Sequence, residues 1–247
     1  MAVGRHSSSK QLVVNSEELR RSRVTERDTG AISPIEMMVL VIAPVALLLA
    51  AWRQWWALPV VESLGFASGA ICVWLVVREN IWNWPIGLAN NVFFFVLFSD
   101  GRLFADAVLQ VVYFALGSYG WWNWRYGGAA RTELTVSRVR LVECVLLLVA
   151  IPLGILGVRE LLIVVQGAAP LWDSITTVLS LAAQYLLSRK RLENWLLWIV
   201  ADVIYVPLYL SRGLGLTAVL YFGLLIMCLF GGRTWFLSWR RSTREIA

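Results

Sequence analysis

Histidine is almost missing from this chain, with His6 alone in a polar N-terminal stretch, and cysteine is scarce, with only Cys72, Cys144 and Cys228. Imidazole chemistry in the apolar body is therefore excluded. The three thiols share no ligand spacing and have no His or Cys neighbour, so they read as inert packing residues and no metal or other cofactor is expected. Charge is thin as well: 15% of the 247 residues are charged against 59% hydrophobic, at a mean hydropathy of +0.67. That is too apolar for a soluble domain and far too long for one span, which makes the chain polytopic. No GxxxxGK[ST] loop, GxSxG elbow, HExxH helix or CxxC pair is present, which argues against ATP-driven pumping by this chain alone and against the hydrolase and redox chemistries those motifs serve.

Eight apolar segments are present. They fall near 36–52, 57–77, 81–99, 103–124, 139–158, 167–187, 193–211 and 214–234, each close to the roughly 20 residues a bilayer core requires. All are expected to be helices, because a lipid-exposed strand leaves backbone groups unpaired. The net charge of +6 does not indicate nucleic acid, since the basic residues sit in short loops and tails, where they set orientation. Assigned to alternate sides, Lys and Arg divide 18 against 4, which puts both termini in the cytoplasm. Without a span at 36–52 the balance falls to 12 against 10, so the asymmetry favours eight spans. Residues 1–35 form a polar cytoplasmic tail, too long to be the short basic start of a cleaved signal, and 235–247 form a second tail. Many of the fourteen tryptophans, among them Trp52, Trp55, Trp56, Trp121, Trp122, Trp124, Trp235 and Trp239, end apolar runs, where indoles anchor at the headgroups.

The chain repeats itself at a shift of 111 residues. Glu62-Ser63 then aligns with Asp173-Ser174, Asn83-Trp84 with Asn194-Trp195, and Asn91 with Asp202; a one-residue gap brings Gly101 onto Gly213. Each repeat holds three spans, 57–124 and 167–234. A linker helix at 139–158 restores the orientation of the second repeat, giving parallel repeats in a 3+1+3 order like that of SWEET-type sugar transporters. The expected fold is thus an all-α polytopic membrane protein of two parallel three-helix repeats, with 36–52 as one extra N-terminal helix. Its symmetry implies a solute site between the halves near mid-membrane.

Trp195, Trp198 and Asp202 lie three and four residues apart, on one helical face that Tyr205 and Tyr209 continue. An aspartate deep in an apolar span costs on the order of 2.5–3.5 kcal/mol and usually marks a solute or ion path. Two indoles beside it offer a surface for a flat or cationic ring. On the fourth span Asp106, Gln110, Tyr113 and Gly117 form a second stripe, on the sixth Asp173, Thr177, Ser180 and Gln184 repeat the spacing, and the third adds Asn90 and Asn91. Tyr221 aligns with Gln110 in the ungapped register. Thr176, Thr177 and Ser180 also fit a role as interhelical hydrogen-bonding glue. Glu62, Asp106 and Asp173, near span ends, find a sufficient explanation in water or a partner such as Arg102 or Arg159.

These residues resemble the PnuC family of bacterial vitamin transporters. The family pattern PFWDS…VLS…RKxxENWLLW, a glycine turn and GxRxW reads here as PLWDSITTVLS, RKRLENWLLW, RGL and GGRTW. NWPIGLANNVFFFVLF and LFADAVLQVVYFALGSYGWWNW extend the likeness over about 57–239. The resemblance implies a multi-pass carrier of the bacterial cytoplasmic membrane, commonly a homotrimer, that moves nicotinamide riboside by facilitated diffusion. It further implies a cytoplasmic kinase that traps the solute by phosphorylation without being a demonstrated binding partner. The family's WxxWxxxN motif maps onto Trp195, Trp198 and position 202, where this chain has Asp202, and its glutamine maps onto Gln110.

The departure at position 202 bears on the cargo. An ionised Asp202 suits a cation, which nicotinamide riboside and thiamine both carry, while riboflavin gains nothing from it. Thiamine or another vitamin is therefore the alternative cargo. A membrane-embedded enzyme using Asp202 with Asp106 or Glu62 is weaker, because the acids are dispersed and no nucleophile accompanies them. A vitamin receptor, which binds without counterflow, is a third reading. Pro85 and Pro207 are candidate soft points for rocking of one half against the other.

Overall fold

The computed structural model describes residues 60–102, 104–166, 169–213 and 215–246. The expectations for 1–35 and 36–52 lie outside the described residues. The described chain forms seven α-helices: α1 (Val60–Val77), α2 (Asn83–Asp100), α3 (Phe104–Tyr126), α4 (Leu141–Val164), α5 (Pro170–Ser188), α6 (Asn194–Ser211) and α7 (Gly215–Ile246). β pairing among the described residues is confined to one isolated bridge between Ser137 and Arg191.

Three helices are long and apolar enough to cross a membrane on those grounds alone: α4, α6, and α7 over Thr217–Arg244. α1 counts as a shorter apolar helix over Ala67–Val77. α2, α3 and α5 fall short for a physical reason. Several of their polar residues turn toward neighbouring helices; on α5, Ser174, Thr176, Ser180 and Ser188 are all buried. Such groups lower the average hydropathy without meeting lipid.

Neighbours in sequence pack as neighbours in space, α1 on α2 on α3 and α5 on α6 on α7, while α1 also meets α7 and α3 meets α5. α4 packs mainly on α5 and leaves Leu141, Val142, Leu146, Leu148 and Leu153 exposed. The α1–α2 and α5–α6 turns match bond for bond at an offset of 111. Asn80 N donates to Leu75 O and Glu79 N to Val76 O; Arg191 N donates to Leu186 O and Lys190 N to Leu187 O. This is the Schellman pattern, whose left-handed residue is usually glycine. Here it is Glu79 (φ 53°) and Lys190 (φ 52°), and the two side chains pair with each other at 2.8 Å. Lys190 is 8% exposed, donates to Leu134 O at 2.9 Å and lies over the Trp124 ring at 4.7 Å. The loop before α4 is held by the same turn, through Ser137 N to Lys190 O and Leu192 N to Ser137 O.

Beneath this ion pair runs a row of buried indoles. Trp84 meets Trp124 edge-on at 5.3 Å, Trp124 meets Trp235 at 5.7 Å, and Trp235 meets Trp195 edge-on at 5.5 Å. Trp124 Nε1 donates to Leu187 O and Trp235 Nε1 to Val76 O, each at 2.9 Å. Trp124 and Trp235 are therefore core residues, a correction to their reading as headgroup anchors; Trp121 and Trp122 are exposed.

Other expectations shift too. Gly213 (φ 75°) shares its left-handed backbone with Arg102 (φ 59°), its counterpart at the ungapped 111, whereas Gly101 has φ −74°. The one-residue gap is unnecessary. The C-terminal stretch taken as a tail at 235–247 is helical through Ile246, because no proline or glycine interrupts it after Gly232 and Arg138 covers Trp239 at 5.4 Å. Pro85 sits in the first turn of α2, where its missing N–H has no helical acceptor to lose; the interior prolines are Pro152 and Pro207.

The indole bonds give a direct test. Trp235→Phe keeps most of the ring packing but removes the bond to Val76 O, which then accepts from Glu79 N alone, and is expected to destabilise the detergent-solubilised protein by about 0.5–1.5 kcal/mol. Trp122→Phe, at a 67% exposed position, is expected to change the unfolding midpoint little. Equal midpoints for both variants would remove the structural role assigned to the row.

Candidate functional site

A cavity of about 420 Å³ opens between the α1–α3 and α5–α7 groups, inside the 300–1,000 Å³ range common to small-molecule sites. Helix periodicity puts its side chains there. On α6, Trp195, Trp198, Asp202 and Tyr205 follow one another at three and four residues, and all line it. Gln110, Tyr113 and Gly117 line it from α3, Asn90 and Asn91 from α2, and Tyr221 from α7.

Of the residues expected at the site, Thr177 alone does not reach this cavity. Its face of α5 is the right one, since Ser180 and Gln184 line the cavity, but it sits about a turn beyond Ser180. Asp106 stands one turn beyond Gln110 and is exposed. Asp173 pairs with Arg212 at 3.4 Å, not with Arg102 or Arg159; Arg159 pairs with Glu160. The side chain of Glu62 lies outside the described ones.

Asp202 is 4% exposed and lies beside a thiol, with Cys228 Sγ donating to its Oδ2 at 3.5 Å. No lysine or arginine among the described residues ion-pairs with it. Around it the wall is aromatic: Tyr205 and Tyr221 line the cavity with centroids 4.7 Å apart, and Tyr209, outside the lining, stacks on both. The facing wall is amide. Asn90 Oδ1 accepts from Ser68 Oγ at 3.1 Å, which ties α2 to α1. The arrangement offers stacking surfaces, amide partners and one carboxylate to a guest, with no nucleophile or base arranged to transform it.

Sequence reasoning missed Trp84 and Phe94 as lining residues. Both were detectable, since they are the counterparts of Trp195 and Tyr205 at the 111 offset. Trp84 and Trp195 each bury an Nε1 that has no hydrogen-bond partner among the described residues. Each ring also rests on a glycine: a Cβ at Gly120 would come within 2.2 Å of Trp84, and one at Gly231 within 2.2 Å of Trp195.

A helical bundle around an aromatic, amide-lined cavity fits a membrane carrier of small solutes, and comparison with known proteins gives the family. The profile described as Nicotinamide mononucleotide transporter matches residues 59–237. Nicotinamide riboside transporter PnuC of Escherichia coli (strain K12) is 30% identical over 214 residues, 76% of this chain and 90% of that protein. Riboflavin/roseoflavin transporter RibM of Streptomyces davaonensis is 28% identical over 189 residues, 75% of this chain and 88% of its own. A crystal structure of the Vitamin B3 transporter PnuC superposes with a TM-score of 0.64 at 23% identity, covering 86% of this chain and 94% of that one. The chain belongs to the PnuC family of vitamin transporters: it is a multi-pass membrane protein, not an enzyme.

The glycine seat of Trp195 can be probed directly. Gly231→Ala forces the indole toward the cavity and is expected to cost roughly 1–3 kcal/mol in stability, with the ring becoming more accessible to acrylamide quenching. Gly232→Ala meets Trp195 Cβ at an ordinary 3.5 Å and is expected to leave melting and quenching as they were.

Proposed function

We propose that this protein carries nicotinamide riboside across a bacterial cytoplasmic membrane by facilitated diffusion. The observation that carries the reading is the buried carboxylate of Asp202, set on the same cavity wall as Trp195 and Trp198 with no ion-paired lysine or arginine among the described residues. A pyridinium ring stacked on either indole supplies the missing charge. In a cavity of low dielectric such a pairing is strong, and the amides of Asn90, Asn91 and Gln110 are left for the ribose hydroxyls. The names of the Escherichia coli relative and of other PnuC proteins agree with this cargo.

Transport follows from two three-helix halves, about 57–124 and 167–234, with 139–158 as a linker outside them. Support comes from the matched turns, the paired indole bonds and the α1–α7 and α3–α5 packing, all recurring at 111 residues. Alternating access is then a rocking of one half against the other around the cavity. Both termini face the cytoplasm, the protein assembles as a homotrimer, and a cytoplasmic kinase traps the vitamin after entry.

One observation favours a second cargo. The Streptomyces relative is named for riboflavin, a neutral molecule that the aromatic wall also accommodates. Competition binding by nicotinamide riboside, thiamine and riboflavin, run on the native protein and on Asp202→Asn, separates the readings. If Asp202 selects cations, the substitution weakens nicotinamide riboside and thiamine roughly tenfold or more, about 1.4 kcal/mol, and riboflavin little. Riboflavin binding most tightly, or equal losses for all three, would reject the proposed cargo; uptake of unaltered label into proteoliposomes checks transport itself.

A further inference from the structure

A second hollow, of about 630 Å³, lies on the outer flank where the first turns of α4 run beside the end of α5, away from the aromatic cavity. Its mouth is basic, with Arg140 and Arg189, and among the described residues Glu143 is the only acid lining it. That carboxylate is already matched: Oε1 meets Arg189 Nε at 3.3 Å and Oε2 meets Arg191 Nε at 3.0 Å. Arg189 also donates to Tyr185 Oη at 3.2 Å, which holds its guanidinium at the rim. Arg140 is exposed and ion-pairs with no acid among the described residues. Below the rim the hollow is apolar, walled by Leu146 and Ala150 among others.

We propose that this hollow binds an anionic phospholipid. Its phosphate sits between Arg140 and Arg189, and an acyl chain runs down past Leu146. The positive excess at the rim fits a phosphate diester, and the apolar floor opens on the face of α4 that no other described helix covers. Basic pockets between membrane helices bind acidic headgroups for the same reason. A second copy of the chain fits less well: the acids of α4 itself, Glu143 and Glu160, are already paired, so its exposed face brings no free carboxylate to the arginines.

The test is native mass spectrometry of the full-length protein in neutral detergent with equal amounts of dioleoyl-phosphatidylglycerol and dioleoyl-phosphatidylcholine. Retention of the glycerol lipid is expected to exceed that of the choline lipid about fivefold for each contributing arginine. Arg140→Gln is expected to remove about one such factor. Leu146→Trp, which fills the hollow without changing charge, is expected to reduce adducts of both lipids while vitamin binding in the aromatic cavity is unchanged, so a failure here is distinct from a failure of the transport reading. Equal retention of the two lipids, or an unchanged preference in Arg140→Gln, overturns the proposal. So does spontaneous disulfide formation between subunits bearing Leu146→Cys, because a second copy would then occupy the groove.

Discussion

Two indole N–H groups reaching across the bundle hold this structure together at one end. In a membrane, burying apolar surface gives helices no reason to prefer one another over lipid, so close packing and internal hydrogen bonds decide which helices meet. Trp124 and Trp235 supply both. Each donates to a carbonyl near the C-terminal end of a helix in the other group, Leu187 O on α5 and Val76 O on α1. Their rings touch each other and, edge-on, Trp84 and Trp195. Gly120 and Gly231 leave room for the benzo edges of the outer rings against α3 and α7. Above the row, the Glu79–Lys190 pair joins two turns whose left-handed residues would more usually be glycine. That conformation costs a side-chain-bearing residue roughly 1–2 kcal/mol, which the ion pair, the bond to Leu134 O and the contact with Trp124 offset.

Closing one end so firmly determines where the cavity is and what surrounds it. Val76, Leu187, Trp84 and Trp195 line both the sealed end and the cavity, so the outer indoles belong to the lock and to the wall at once. At the turns and the indole bonds the two sides correspond at 111 residues. Their chemistry differs: Asn91 answers Asp202, Gly87 answers Trp198 and Gln110 answers Tyr221. A guest of the proposed carrier thus meets a carboxyl group and a stacking ring on the α6 side and amides on the other. Equivalent scaffolds with unequal side chains give a solute one preferred orientation, which an identical pair of walls cannot do.

The parts of this arrangement that were legible in the sequence are those fixed by local periodicity. Trp195, Trp198 and Asp202 share a stripe because a helix turns about 100° per residue, and that holds wherever the helix is packed. Depth along the axis is not local: Thr177 has the correct face and lies a turn too far from the cavity. Tertiary partners are less local still. An indole at the end of an apolar run reads the same whether it is exposed, like Trp122, or buried, like Trp235, and only the opposing carbonyl tells them apart. Asp173 found Arg212 for the same reason, since nothing in the spacing brings the end of α6 to the start of α5. The offset of 111 carried more than was taken from it: it paired Trp84 with Trp195 without placing Trp84 on the cavity wall, and applied without a gap it aligns Arg102 with Gly213.

Lys190 and Arg191 show why burial does not undo an orientation read from charge. Both are buried, and both pair with acids, Glu79 and Glu143, so their end of the bundle is less positive in the folded protein than a count of basic residues suggests. The rule that sets orientation acts on the chain as it inserts, and it weighs Lys and Arg while acids contribute little. At that stage α1 and α5 are not yet packed, and neither lysine nor arginine has met its carboxylate. The proposed placement of the termini therefore rests on charges that steer insertion first. Those charges are consumed afterwards in ion pairs at that end, Lys190 with Glu79 over the indole row and Arg191 with Glu143 on the flank of α4, so one set of residues serves both insertion and packing.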